Sequence, residues 1–282
     1  MAKKVSLINM KGGVGKSTLT VNLAWQFAGT YIWKNKKVLV VDLDPQFNAS
    51  QYMLGVQKYE EIVRKNLPTV WDVFEQLTRT PNGKTPKPLD PHSVIHPVVK
   101  YKDGSKIDII PSRLDLASSL RNPGQKDQLL AKIISKVEDE YDLILLDCAP
   151  TESLLTTAAY LSSDYILVPV RPEYLSSIGL PLLVRSMNEF KDFYEDSNLE
   201  LAGIVFNATS DYSPEENNSK KEVKAIAKTN GWYIFNEEVS YSRSYPKGAR
   251  EGKPIFNTSY ARTAQAKRFQ EFTKEFALRI GL

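Results

Sequence analysis

Short apolar runs rich in β-branched residues alternate along the chain with stretches whose apolar positions recur every three or four residues. The first kind marks candidate strands at 4–9, 37–43, 107–110, 142–148, 165–170 and 201–206, with a weaker seventh at 233–239. Most of these runs are continuously apolar rather than alternating, the pattern of strands covered on both faces. Candidate helices fall between them at 17–28, 126–138, 154–161, 175–194, 214–229 and 262–280. The last carries Phe269, Phe272, Phe276 and Ile280 on one helix-period stripe. Strand–helix alternation of this kind predicts an α/β fold: a single three-layer domain over residues 1–282, its mostly parallel central sheet flanked by helices. The proline-dense segment 78–97 breaks the rhythm and is expected to be a long surface loop within that domain.

Composition keeps this picture and narrows it. Apolar residues make up 42% and charged residues 25%, the mixture of a soluble globular chain. No apolar run is long enough to cross a bilayer, and the opening MAKKVSLINM lacks the apolar core of a secretory signal. The single cysteine, Cys148, excludes an internal disulfide and an all-cysteine metal site within one chain, so a cytoplasmic protein is expected. The net charge of +4 is unevenly spread: from Tyr241 onward nine Lys/Arg face three Glu. A basic end on a near-neutral body suggests a polyanionic partner, nucleic acid or anionic lipid.

The candidate chemistry begins at MKGGVGKST, Met10 to Thr18. A phosphate loop ordinarily reads G-x-x-x-x-G-K-S/T, yet methionine occupies the first glycine position and Lys11 is an additional lysine. Gly12, Gly13, Val14 and Gly15 lie between a candidate strand and a candidate helix. There glycines let backbone N–H groups converge on an anion, and the helix N-terminus adds donors and partial positive charge. Lys16 is expected at the β- and γ-phosphates, Ser17 at Mg²⁺ and Thr18 at the α-phosphate. LILLDCAP runs four apolar residues into Asp147, the form of a Walker B acid. VLVVDLDPQ ends a second strand in Asp42 and Asp44, which alternation points to the same side of the sheet. One acid supporting a metal and another orienting an attacking water would account for both. No N-K-x-D guanine-reading stretch occurs, which favours ATP.

With MKGGVGKST, VLVVDLDPQFNAS and YDLILLDCAP together, the chain resembles the ParA/MinD group of deviant Walker ATPases, most closely the ParA branch. PVRPEYLSSIGL, GIVFNATSD and GKPIFNTSYARTAQAKRF are similar to family segments in the same order. The resemblance implies an ATP-dependent homodimer that sandwiches nucleotide and binds DNA without sequence preference. A ParB-like or other adaptor would stimulate its slow ATP hydrolysis. It implies that Lys11 reaches the partner's phosphates, that Lys16 and Ser17 act in cis, and that Asp44 positions water. Asp42 and Asp147 would support the metal, and Asn207 would read adenine. Arg243, Lys247, Arg250, Arg262, Lys267 and Arg268 fall in the region that contributes to DNA binding, which implies a nucleoid-associated protein. Three departures are visible. Phe47 stands where relatives often have glycine, the Ile-Pro-Arg pattern is lost in 240–255, and the chain opens on the first strand without a helix-turn-helix domain. The last of these makes autoregulation an unexpected role.

Other readings compete. KRFQEFTKEFALRIGL is basic and amphipathic, as in a MinD-like membrane-associated positioning ATPase, although its stripe is more simply a core face. An iron–sulfur electron-transfer ATPase needs paired cysteines that this chain lacks. His92 and His96 have a metal-ligand spacing, but flanking prolines and the absence of a third ligand favour a plain loop. A ParA-like ATPase that positions a protein organelle rather than DNA shares every motif above.

Overall fold

The computed structural model describes residues 1–29, 36–76, 88–121, 126–173, 176–210 and 214–282. Strand β1 (Lys3–Leu7) leads through a glycine-rich turn into α1 (Lys16–Gly29), and β2 (Lys37–Leu43) comes after it. Three short helices come next, α2 (Asn48–Leu54), α3 (Val56–Arg64) and α4 (Val70–Glu75). Then come β3 (His96–Lys100), β4 (Lys106–Ile110), α5 (Leu116–Ser119), α6 (Leu129–Ile134) and β5 (Leu143–Cys148). The second half runs α7 (Leu154–Leu161), β6 (Tyr165–Val170), α8 (Ser176–Phe193), β7 (Glu200–Thr209) and α9 (Pro214–Thr229). Strand β8 (Val239–Ser240), α10 (Ser244–Glu251) and α11 (Thr263–Ile280) complete it.

The sheet order is β3-β4-β2-β5-β1-β6-β7-β8, and every pairing is parallel except β3 with β4. Alternate residues of each central strand feed two apolar layers. Leu39, Val41, Ile144, Leu146, Ile166 and Val168 meet α4, α6, α7, α8 and α9 on one side. Val38, Val40, Leu143, Leu145 and Leu167 meet α1, α2, α3 and α11 on the other. The Phe269, Phe272, Phe276 and Ile280 stripe of α11 is wholly in this second core, with Phe235 packed edge-on against Phe272. That face of the helix is spent on packing.

Two expectations are corrected. The surface loop expected over 78–97 is confined to less than its length. Residues 78–87 lie outside the described residues, and the chain beyond them forms a 3-10 turn over Pro91–Val94 and then β3. Pro97 is tolerated because β3 is the antiparallel edge strand, where a missing N–H costs little, and the register shifts between Pro97 and Val99. The helix expected over 126–138 shrinks to α6, whose last apolar residues Ile133 and Ile134 are buried before the chain turns into a 3-10 segment at Glu138–Glu140. Leu175, the expected first residue of α8, lies outside the described residues.

Candidate functional site

Neighbouring β2, β5 and β1 present their carboxyl ends at one edge of the sheet, where an open α/β sheet binds ligands. Asp42 and Asp147 are register partners there, and Leu7 of β1 is also opposite Asp147. The turn after β1 is built on glycine for a conformational reason: Gly13 and Gly15 have φ of 75° and 90°, which L side chains rarely adopt. Gly15 is restricted twice, since a Cβ there would also collide with the Asn207 side chain. The loop is tied at both ends. Asn9 Nδ2 donates to the Pro169 carbonyl (2.8 Å), and Asn9 Oδ1 accepts from Lys11 N (2.9 Å). Asn207 Nδ2 donates to the Val14 carbonyl at 2.7 Å.

The two lysines differ sharply. Lys16 is buried and curls back under the loop, its Nζ donating to the carbonyls of Asn9 (3.0 Å) and Lys11 (3.2 Å). Burial pulls its pKa below the ordinary lysine value, against the opposing pull of the Asp147 charge. Lys11 is at the rim, where its Nζ pairs with Glu173 at 3.0 Å.

The three acids also divide. Asp42 is fully buried with both oxygens engaged: Oδ1 accepts from Asp44 N (3.0 Å), and Oδ2 accepts from Ser50 N (2.8 Å) and Ser50 Oγ (2.7 Å). Burial raises its pKa to about 7 despite those donors. Asp44 opens onto the cleft and accepts from Gln46 N at 2.9 Å. Asp147 is fully buried with neither carboxylate oxygen hydrogen-bonded. Burial, reinforced by the Asp42 charge, pushes its pKa well up, while Ser17 and Lys16 favour the ionised form from beyond hydrogen-bonding geometry. A buried carboxylate without donors is costly unless a cation completes it. The set Ser17 and Asp147 therefore suits a hard, oxygen-seeking ion such as Mg²⁺ beside a phosphate.

The loop residues and Asp44 open into a cleft of about 570 Å³. Gly12, Gly13, Gly15, Lys16, Ser17, Thr18 and Asp44 form its inner wall, and Asn48, Gln51, Tyr52 and Arg250 are on the outer wall. The arrangement can hold a polyphosphate: backbone donors and a lysine on one side, and a carboxylate positioned to orient water on another. A larger cavity, about 770 Å³, opens at the opposite end of the sheet, but its lysine, Lys4, is already committed to Glu138 (2.6 Å) and Asp164 (3.4 Å).

The remaining expected site residues are spread over several settings. Arg250, expected on the DNA face, lines the cleft because α10 docks against α2. Asn207 braces the loop through Nδ2 on the Val14 carbonyl and is not among the described residues that line the cleft. Asp42 is not among the residues that line the cleft; its Oδ1 accepts from the backbone N–H of Asp44. Lys247 is half-engaged with Glu251 (3.2 Å) and the Tyr260 ring. Arg243, Arg262, Lys267 and Arg268 are exposed on adjoining segments. Those segments are laced together by Ser242 Oγ donating to Gln265 (2.6 Å), Ser244 Oγ to the Tyr260 carbonyl (2.7 Å) and Arg268 to Ser240 (3.1 Å). His92 and His96 do not converge: His92 meets Glu140 (2.7 Å) and His96 meets the Pro68 carbonyl (2.8 Å). Sequence reasoning missed Ser50, Gln51 and Tyr52, which no motif marks, because a turn through Phe47 brings α2 to the cleft.

Comparison with known proteins identifies the family. The AAA domain family matches residues 2–201. The chromosome-partitioning ATPase Soj of Treponema pallidum is 28% identical over 286 residues, covering 100% of this chain and 99% of its own. The sporulation initiation inhibitor protein Soj of Bacillus subtilis is 33% identical over 208 residues, covering 73% of this chain and 72% of its own. Among solved structures, an ATP complex of McdA from Cyanothece superimposes with a TM-score of 0.79 at 15% identity, spanning 100% of this chain and 97% of that one, a likeness of fold. A family match over most of the sequence, joined by a Soj protein one-third identical across nearly three quarters of it, shows that this chain belongs to the AAA domain family as a ParA/Soj-type P-loop ATPase.

Proposed function

We propose that the protein is a positioning ATPase that binds ATP and Mg²⁺, dimerises around the nucleotide, holds DNA non-specifically in that state and is released by hydrolysis. The observation that carries the reading is the contrast within one loop: Lys16 is sealed beneath it, while Lys11 stands at its rim beside a cleft holding Asp44. Lys16 then serves the protomer's own phosphates and Lys11 those of a second copy, in the manner of a charge supplied in trans. When bound, the magnesium ion spreads negative charge off the phosphates; Ser17 and the unpartnered Asp147 oxygens are the residues that hold it. Asp44 accepts a proton from, or orients, the attacking water, and the Asp42–Ser50 pair holds Asp44 in place. Slow turnover acts as a timer, and an adaptor protein of the ParB kind stimulates it and names the cargo, be it a chromosome, a plasmid or a protein assembly. The exposed basic residues Arg243, Arg262, Lys267 and Arg268, with the half-buried Lys247, supply the phosphate contacts with DNA, which implies a cytoplasmic, nucleoid-associated protein.

Substituting Asp44→Ala tests the chemistry: it is expected to leave ATP and DNA binding in place and reduce turnover by at least 10²-fold, an effect of the size of a lost general base. Normal hydrolysis in that variant would overturn the role of Asp44. DNA binding that is equal with ATP and with ADP would remove the switch. Flotation with anionic liposomes and ATP is expected to recover no protein, since the apolar stripe of α11 is inside the core.

A further inference from the structure

Helix α10 ends at the nucleotide cleft because of one close approach. Gly248 is buried against α2, with room for no side chain: a Cβ there would strike the Tyr52 hydroxyl and come within 2.6 Å of the Lys253 carbonyl. Tyr52 Oη donates to that carbonyl at 3.2 Å. Asn22, buried on α1, completes the suture: its Nδ2 donates to the Thr18 carbonyl (2.8 Å) and its Oδ1 accepts from Ile255 N (2.9 Å). The segment that follows α10 is therefore fixed to α2 and to the helix that begins at the phosphate loop, while Gly248 lets α10 itself lie against Tyr52. Ala249 and Arg250 line the cleft together with Lys16, Ser17 and Thr18.

Arg250 is also chemically uncommitted. Lys247, one turn earlier, pairs with Glu251 and the Tyr260 ring, whereas Arg250 makes no hydrogen bond or ion pair among the described residues. A guanidinium with its donors unspent, lining the same cleft as Lys16 and the glycines of the phosphate loop, is suited to an anion with several oxygens. We propose that Arg250 is a nucleotide-binding residue, its guanidinium pairing with the phosphates of the nucleotide held by the loop rather than with DNA. The proposal rests on the reading of the cleft as an ATP site. It gives α10 a second meaning: the segment that carries Arg243 and Lys247 on its outer side is tethered to bound nucleotide through Arg250, so occupancy of the cleft orders part of the basic surface.

The test separates nucleotide from DNA. Affinity for a fluorescent, slowly hydrolysed ATP analogue with Mg²⁺ is measured for the full chain and for Arg250→Ala, Arg250→Lys and Lys16→Ala. The salt dependence of duplex DNA binding is measured at saturating analogue. Arg250→Ala is expected to weaken the analogue about tenfold, the loss of one charge-assisted contact, and Arg250→Lys to recover part of it. The DNA salt slope is expected to be unchanged by Arg250→Ala and to fall by about 0.9 in Arg262→Ala. Unchanged analogue affinity in Arg250→Ala, with Lys16→Ala abolishing binding, would overturn the proposal and leave the cleft reading standing. A DNA slope reduced by Arg250→Ala would return the residue to the DNA face. Undiminished analogue binding in Lys16→Ala would overturn the cleft reading itself, and the Arg250 role with it.

Discussion

Phe47 adopts φ 46° and ψ 32°, the left-handed region that costs an ordinary L residue about 1–2 kcal/mol. It is retained because its ring stacks on Tyr59 at 5.0 Å and 17°, worth about 0.5–1.5 kcal/mol beyond area burial. The turn it makes brings Ser50 to Asp42, so a strained aromatic delivers the bend here. Phe47→Ala keeps the backbone cost and loses the stack, whereas Phe47→Gly loses both. Urea unfolding is expected to find Ala less stable than wild type by about 1–2 kcal/mol, with Gly closer to wild type by about 1 kcal/mol. Equal stability of Ala and Gly would show that the left-handed cost is absent. At the far end of the sheet, His92 is held by Glu140, whose hydrogen bond and charge raise the imidazole pKa above its ordinary value. A raised folded pKa stabilises fully below the unfolded value of about 6.5 and loses that contribution as pH rises through the folded value. An NMR titration should find the His92 ring deprotonating later than a free histidine, and Glu140→Gln should move it back; a ring that titrates no later than free histidine would refute the contact.

At the level of elements, Gly248 decides whether α10 lies against α2. Gly248→Ala forces a methyl against the Tyr52 hydroxyl and the Lys253 carbonyl, and overpacking of this kind costs about 1–3 kcal/mol. The expected outcome is a lower thermal midpoint together with weaker nucleotide binding, because Arg250 moves with the helix. Tyr52→Phe in the same chain should restore only part of it, since the Lys253 carbonyl is backbone; a fully wild-type double variant would disprove the steric account. The same elements mark how much of the fold is legible in the sequence. Continuous apolar runs reveal the parallel core strands because nothing but burial on both faces produces them, and α7 and α9 are readable to the residue. Edge strand β3 is hidden by Pro97, which reads as a loop and is harmless only at an edge. Helices α2 to α5 are too short for their period to register, and α10 has a buried glycine where a periodic reading wants an apolar side chain. In the site, the loop lysines and strand-end acids are legible because their chemistry is written locally. The Arg250 position is not, because it depends on Gly248 meeting Tyr52 across nearly two hundred residues.

For the whole molecule the question is what one protomer does with its outward lysine. Lys11 pairs with Glu173 while 23% exposed against a carboxylate 44% exposed. An ion pair so open to water is worth only about 0–1 kcal/mol. A phosphate of a second copy, reached in a closing interface that excludes water, offers a charge-assisted contact of about 1.5–3 kcal/mol. On the proposed trans role the exchange runs toward the dimer once nucleotide is bound. Lys11→Ala should bind the ATP analogue within about threefold of wild type, because Lys16 and the loop are intact. Its ATP-dependent dimer should weaken by about tenfold or more, the equivalent of about 1.4 kcal/mol. Sedimentation velocity over a protein concentration series, with analogue and with ADP, measures both species directly. Wild type should shift to dimer only with the analogue, and Lys11→Ala should sediment as monomer in both at the same concentrations. An unchanged dimer in Lys11→Ala would mean that the second lysine of MKGGVGKST serves its own chain, and the trans role would have to be abandoned.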